Sequence, residues 1–249
     1  MQLNILSTFL LQIQYSTKYT NGDKDIYFFT NTDRKKAVAF EATFNAGNKT
    51  PYIWLPETGE RFLLPYPNKN KLQIELDALE SALILFEIEK TGLPLYKYNE
   101  KPTENKDLTA IWNVKFEHIN GDVFEREMKS LIDFKSSDDK AIRHFAGDVT
   151  YSTSFNNNAA YRFLTLKDVN EAVTQLYVNG KLLGTKWYGK HIYDMGEHLQ
   201  AGENKLEIKL TTTLANYAMS LKENPVAAVL TKRYKNPFSS GLLAVELGK

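Results

Sequence analysis

Cysteine is absent from this 249-residue chain, which excludes disulfides, thiol nucleophiles and thiolate metal sites and leaves the redox compartment open. An excess of one charge is lacking as well. With 31 basic against 30 acidic side chains the formal net charge is +1, so no overall field gathers nucleic acid or an anionic membrane surface. Neither is expected as a partner. Long apolar runs are missing too: the opening MQLNILSTFLLQIQYSTKYT is too short and too polar to span a bilayer. It also lacks a basic n-region and a small-residue cleavage site, and is read as folded protein rather than a signal peptide. On that reading the chain is cytoplasmic as written, and periplasmic or extracellular if it belongs to an exported parent. Helix-period apolar runs are nearly absent.

Aromatic and β-branched residues are plentiful, with 14 Tyr and 14 Phe, and they favour strands. Ile26 to Phe29 is an apolar strand. Val38, Phe40, Ala42 and Phe44 then alternate with Ala39, Glu41 and Thr43, which turns one face inward. Pro56, Gly59, Pro65 and Pro67 cut the next stretch into short pieces before Leu72, Ile74 and Leu76 resume the alternation. Ala82 to Ile88 is apolar on both faces and is expected to be covered on both. Residues 1–95 thus read as a small β-sandwich with an N-terminal extension.

Over 96–108 the composition turns proline-bearing, charged and aperiodic, as in a linker or an exposed connecting strand. The second block, 109–249, opens with Trp112, Val114 and Phe116 pointing inward, and continues with Val149, Tyr151, Thr153 and Phe155 on one face. Asn179-Gly180, between QLYV and KLLG, is a strong hairpin signal, because both central positions of a type I′ turn need positive φ. LQAGENKLEIKL supplies a further glycine turn and an alternating strand. A helical turn is expected at 168–173 (DVNEAV), and another between Asp133 and Ile142. The fold class is all-β: two antiparallel β-sandwiches, the second a jelly roll.

The second block carries a resemblance. IWNVKF, SLIDF, IRHFAGDVTYSTSF, LKDVNEAVTQLYVNGKLLGTKWY, LQAGENKLEIKLTTTLANYAMSL and FSSGLLAVEL resemble, in order, the C-terminal galactose-binding-like sandwich of family 106 glycoside hydrolases, the α-L-rhamnosidases. That sandwich is itself similar to the sugar-binding domain of family 2 glycosidases. DKDIYFFTNT, YIWLPETGE and LDALESALILFEI look like the small sandwich preceding it in the rhamnosidase family. The likeness runs over about residues 13–249. It implies accessory domains whose partner is a catalytic α/β barrel, and no part of this chain can be that barrel.

Sugar recognition needs an aromatic face for the apolar side of the ring and planar hydrogen-bonding groups for its hydroxyls. Trp187, Tyr188 and His191, just after the Asn-Gly hairpin, are the first candidate cluster; Asn156, Asn157, Asn158 and Tyr161 form a second loop of suitable chemistry. The resemblance also implies a packing role for Trp187, and the two readings stand side by side. Trp112 is expected in the core, Trp54 at an interface, and His144 beside Phe145. Glu57, in LPETG, reads as a turn carboxylate. The 30 acidic residues guarantee carboxylate pairs at some spacing and so signal no catalytic pair. His118, His144, His191 and His198 show no zinc-ligand spacing. No catalytic residue, metal site or cofactor is assigned. Calcium stays open, through backbone carbonyls and Asp138, Asp139 or Asp148.

The leading expectation is a non-catalytic accessory region of a rhamnosidase-like hydrolase that supports a barrel and binds carbohydrate weakly. The alternatives are a glycosidase completed by a separate catalytic domain, and a protein-interaction module.

Overall fold

Alternation of apolar and polar side chains is carried through nearly every strand of the computed structural model, which describes residues 13–249 apart from 57, 66–70, 89–91, 98–99 and 170. The opening residues to 12 and Glu57 therefore lie outside the described residues. The protein is all-β and antiparallel, with short helices only. It divides into two units, Met1–Glu100 and Lys101–Lys249.

The first unit holds β1 (Ile13–Asn21), β2 (Lys24–Asn31), β3 (Val38–Thr43), β4 (Thr50–Leu55), β5 (Glu60–Leu63), β6 (Lys71–Leu76) and β7 (Ser81–Glu87). Five of these form a sheet in the order β1-β2-β7-β4-β5, and β3 pairs with β6. Between the two sheets lie Tyr27, Phe29, Phe40, Phe44, Ile74 and Phe86, all at most 4% exposed. Tyr27 and Phe44 meet edge to face at 4.8 Å, an arrangement favoured by the ring quadrupoles. β7 is covered on both faces, for Leu85, opposite in facing to Ile84 and Phe86, is only 2% exposed. The strand ends in a buried carboxylate, Glu87, held by Arg61 at 3.0 Å and Lys24 at 3.3 Å, which compensates its loss of hydration.

The second unit begins earlier than composition implies. β8 (Lys106–Asp107) pairs with the last strand, and the N–H groups of Thr103 and Lys249 each donate to the other residue's carbonyl at 2.8 Å. Then follow β9 (Trp112–His118), β10 (Val123–Met128), β11 (Gly147–Asn156), β12 (Phe163–Lys167), β13 (Val173–Val178), β14 (Lys181–Lys186), β15 (His191–Asp194), β16 (Glu203–Thr211) and β17 (Ala244–Gly248). One sheet runs β10-β9-β11-β16-β13-β14 and the other β15-β12-β17-β8. Trp112, Phe116, Tyr151, Leu164, Leu176 and Leu210, each at most 1% exposed, belong to the core they enclose. The buried Tyr151 hydroxyl accepts the Leu242 N–H at 3.1 Å, and burial raises its pKa.

Asn179 and Gly180 both take positive φ, 51° and 79°, and form the hairpin between β13 and β14. The expected turn near 133–142 is present as a 3-10 turn, Phe134–Ser136, and α1, Lys140–Arg143. The helical turn expected at 168–173 is not: Asp168 and Glu171 both have φ of 51°, incompatible with a right-handed helix, and Val173 already starts β13. Two further helices, α2 (Ala215–Ser220) and α3 (Ala228–Arg233), lie where no helical turn was expected.

Candidate functional site

Residues 187–190 connect β14, in the six-stranded sheet, to β15, in the four-stranded one. This connection crosses from one sheet to the other, so its side chains emerge at the end of the sandwich. Gly189 turns it with φ of 68°. Trp187 is 61% exposed, so it is no part of the core, and its ring stands against that of Tyr188 at 4.8 Å. An exposed indole braced by a half-buried phenol is an apolar surface held in place without being covered. It matches the apolar face of a pyranose ring.

His191, the third member of the sequence cluster, turns the other way. It is 5% exposed, and its Nδ1 lies 2.5 Å from the Thr174 hydroxyl, which is also 2.7 Å from the Tyr193 hydroxyl. Tyr193 donates in turn to the Thr174 carbonyl at 3.0 Å. Burial, assisted by the charge of Lys186, lowers the His191 pKa to about 4, so the ring is neutral near pH 7. Burial likewise raises Tyr193 to about 12. The imidazole therefore anchors the base of the loop through Nδ1 and lies beneath the surface that carries Trp187. Sequence reading missed Thr174 because its connection to His191 bridges two sheets.

The second candidate loop is elsewhere. Asn156 ends β11 opposite Glu203, the first residue of β16, whereas Lys186 sits opposite Thr174, itself opposite Leu210. Seven residues of strand separate these positions, roughly 24 Å. One monosaccharide cannot touch both. Asn157 spends its amide within its own loop, donating to the Tyr161 carbonyl at 3.0 Å and accepting the Tyr161 N–H at 2.8 Å. Tyr161 packs on the core, while Asn156 and Asn158 remain exposed. Of the seven candidates, Trp187 and Tyr188 are the two whose rings the structure brings together at the surface.

Among the other residues singled out, Trp112 is 1% exposed and Trp54 is 38% exposed. The ring standing edge-on to Phe145 is that of His118, at 5.2 Å, whereas His144 Nδ1 lies 3.2 Å from the Asn216 carbonyl. His118, His144 and Tyr217 line a cleft of about 620 Å³. Asp139 caps α1, accepting from the Ala141 N–H at 2.9 Å, and bonds Arg126; Asp148 pairs with Lys209 at 2.7 Å. Among the described residues there is no group of three or more His, Cys, Asp or Glu able to hold a metal ion, and no helix is long and apolar enough to cross a membrane.

No family model matches the chain. A rhamnosidase from Novosphingobium sp. PP1Y superposes on 99% of this chain and 24% of its own, with a TM-score of 0.69 and 22% identity. A candidate beta-glucuronidase of Formosa agariphila is 23% identical over 128 residues, 48% of this chain and 11% of that protein. A beta-D-glucuronidase from Dictyoglomus thermophilum matches 47% of the chain and 21% of its own at 24% identity, with a TM-score of 0.34. The chain spans under a quarter of the length of each of these proteins. Essentially the whole chain therefore shares its fold with a part of a glycoside hydrolase.

Proposed function

We propose that this chain is a non-catalytic accessory region of an α-L-rhamnosidase-like glycoside hydrolase, built of a small sandwich and a galactose-binding-like jelly roll. It supports a catalytic barrel and contacts carbohydrate through Trp187 and Tyr188. The observation that carries the reading is the fold match over 99% of the chain to a rhamnosidase of which it spans 24%, since both units, and not one common sandwich alone, are included. The exposed, braced Trp187 supports the sugar contact.

The test combines turnover and binding on one preparation. The chain alone is expected to release no chromophore from an aryl α-L-rhamnoside, and to be retarded in gels containing rhamnose-bearing pectic polysaccharide. Trp187→Ala should abolish the retardation with the fold intact. Turnover by the chain alone would refute the accessory role, and unchanged retardation in the variant would remove Trp187 and Tyr188 from it.

A second reading, a protein-interaction module whose partner can be a second copy of the chain, is favoured by the exposed apolar residues Leu214, Val226 and Val229 around α2 and α3, at 53%, 81% and 62% exposure. Light scattering that shows self-association relieved by Val226→Lys and Val229→Lys would support it.

A further inference from the structure

One face of an antiparallel sheet is ordinarily polar, and the six-stranded sheet follows that rule, but its cross-strand rows differ in what their side chains do. Around Thr150 the polar groups satisfy one another. Lys209 pairs with Asp148 at 2.7 Å, Thr211 donates to Asp148 at 2.5 Å, Lys115 pairs with Glu117 at 2.9 Å, and Gln175 donates to the Thr185 hydroxyl at 3.2 Å. The adjacent row is Glu127, Asn113, Ser152, Glu207 and Tyr177, in register across β10, β9, β11, β16 and β13. Among the described residues, none of these five side chains makes a hydrogen bond or ion pair with protein. An open groove of about 700 Å³ follows this row, with Lys205 also at its wall.

We propose that this groove binds a neutral linear oligosaccharide laid across the strands. Four interstrand steps make the row roughly 19 Å long, too long to be filled by one sugar ring. Its volume lies within the usual range for ligand sites, and its lining is mixed, with the apolar surface of Ile111 beside the polar row, which suits the apolar ring faces and hydroxyl edges of a sugar chain. Tyr177 supplies aromatic surface. The Asn113 amide donates and accepts, the Ser152 hydroxyl does the same, and the two carboxylates accept from sugar hydroxyls. Two carboxylates against the single ammonium of Lys205 leave the groove negative and disfavour uronates and phosphates. Glu127 and Glu207 stand three strands apart, roughly 14 Å between backbones, too far for the paired carboxylates of glycoside hydrolysis. The groove holds a glycan and does not cut it. It shares a ligand class with the function proposed above but none of its residues.

The experiment is a titration of the isotope-labelled full chain, followed by amide chemical shifts, with cellohexaose, xylohexaose and mannohexaose, and with hexagalacturonate as the acidic comparison. At least one neutral hexasaccharide should shift residues of β9, β11, β16 and β13, and hexagalacturonate should not. Tyr177→Ala and Glu207→Gln, both on the outer face, should each weaken that binding by about tenfold or more with unchanged melting. Trp187→Ala should leave it intact. The proposal fails if no neutral hexasaccharide perturbs the row, if hexagalacturonate binds as well, or if binding survives Tyr177→Ala undiminished. A response lost in Trp187→Ala and kept in Tyr177→Ala would sink the groove while sustaining the loop.

Discussion

Asn204 shows what a single residue contributes to this sandwich. It is fully buried at the start of β16. Its carbonyl oxygen accepts from the Gln200 N–H and the Asn179 amide, and its own amide donates to the carbonyls of Gln200 and Gly202, all at 2.9 to 3.0 Å. Asn204→Ala strands these partners and should lower the unfolding free energy by roughly 2 to 4 kcal/mol in urea titrations. The motif GENKLEI was legible as a turn, but Asn204 tying the loop to the Asn179 hairpin was not, because that contact spans 25 residues. Gly147 is similarly specific: it has φ of 149°, and a Cβ there would sit 2.2 Å from the Glu117 carbonyl oxygen. His191 yields a pH prediction. Its pKa is about 4 folded against 6.5 unperturbed, so below pH 6.5 the unfolded chain takes up the proton that the folded chain refuses. Stability should fall as pH drops from 6.5 to 4, by an amount on the order of 3 kcal/mol. The carboxylates lowered from 3.8, such as Asp133 and Asp194, act only at still lower pH. His191→Gln should flatten the upper window; a wild-type profile already flat there would contradict the burial argument.

At the scale of elements, strands were easier to read than helices for a physical reason. A β-strand announces its buried face in every second residue, as β9 does with Trp112, Val114 and Phe116, and six residues suffice. A six-residue helix such as α2 covers less than two turns. It is held by Asn216, whose amide donates to the Phe238 carbonyl at 2.9 Å and whose oxygen accepts the Phe238 N–H at 2.8 Å. That support comes from 22 residues away and leaves no local period. The candidate loops were legible as chemistry and not as geometry. Polar and aromatic residues mark 156–161 and 187–191 alike, yet only strand register shows them at opposite ends of β16 and shows His191 turned inward. The loop at 187–190 should tolerate change accordingly. Trp187→Ala is expected to shift stability by no more than about 0.5 kcal/mol, since its ring is mostly in water. A larger loss in thermal melts would mean that the indole is a packing residue after all.

For the molecule as a whole, the second unit extends from Lys101 to Lys249, so charged, proline-bearing residues after 100 contribute an edge strand to its four-stranded sheet. Composition marks such a stretch as exposed but cannot show that its backbone pairs with β17. Residues 101–249 should therefore fold alone with one cooperative transition, and residues 109–249, which lose β8 and the Thr103–Lys249 pairing, should melt at lower temperature. Equal melting of the two would mean that β8 adds nothing.

The central claim is that this chain meets carbohydrate without cleaving it. Affinity electrophoresis of the full chain through a rhamnose-bearing pectic polysaccharide, with an aryl α-L-rhamnoside assay on the same sample, tests it most directly. The account predicts retardation, lost in Trp187→Ala, together with no turnover. Mobility unchanged by the polysaccharide, or turnover by the chain alone, would contradict it.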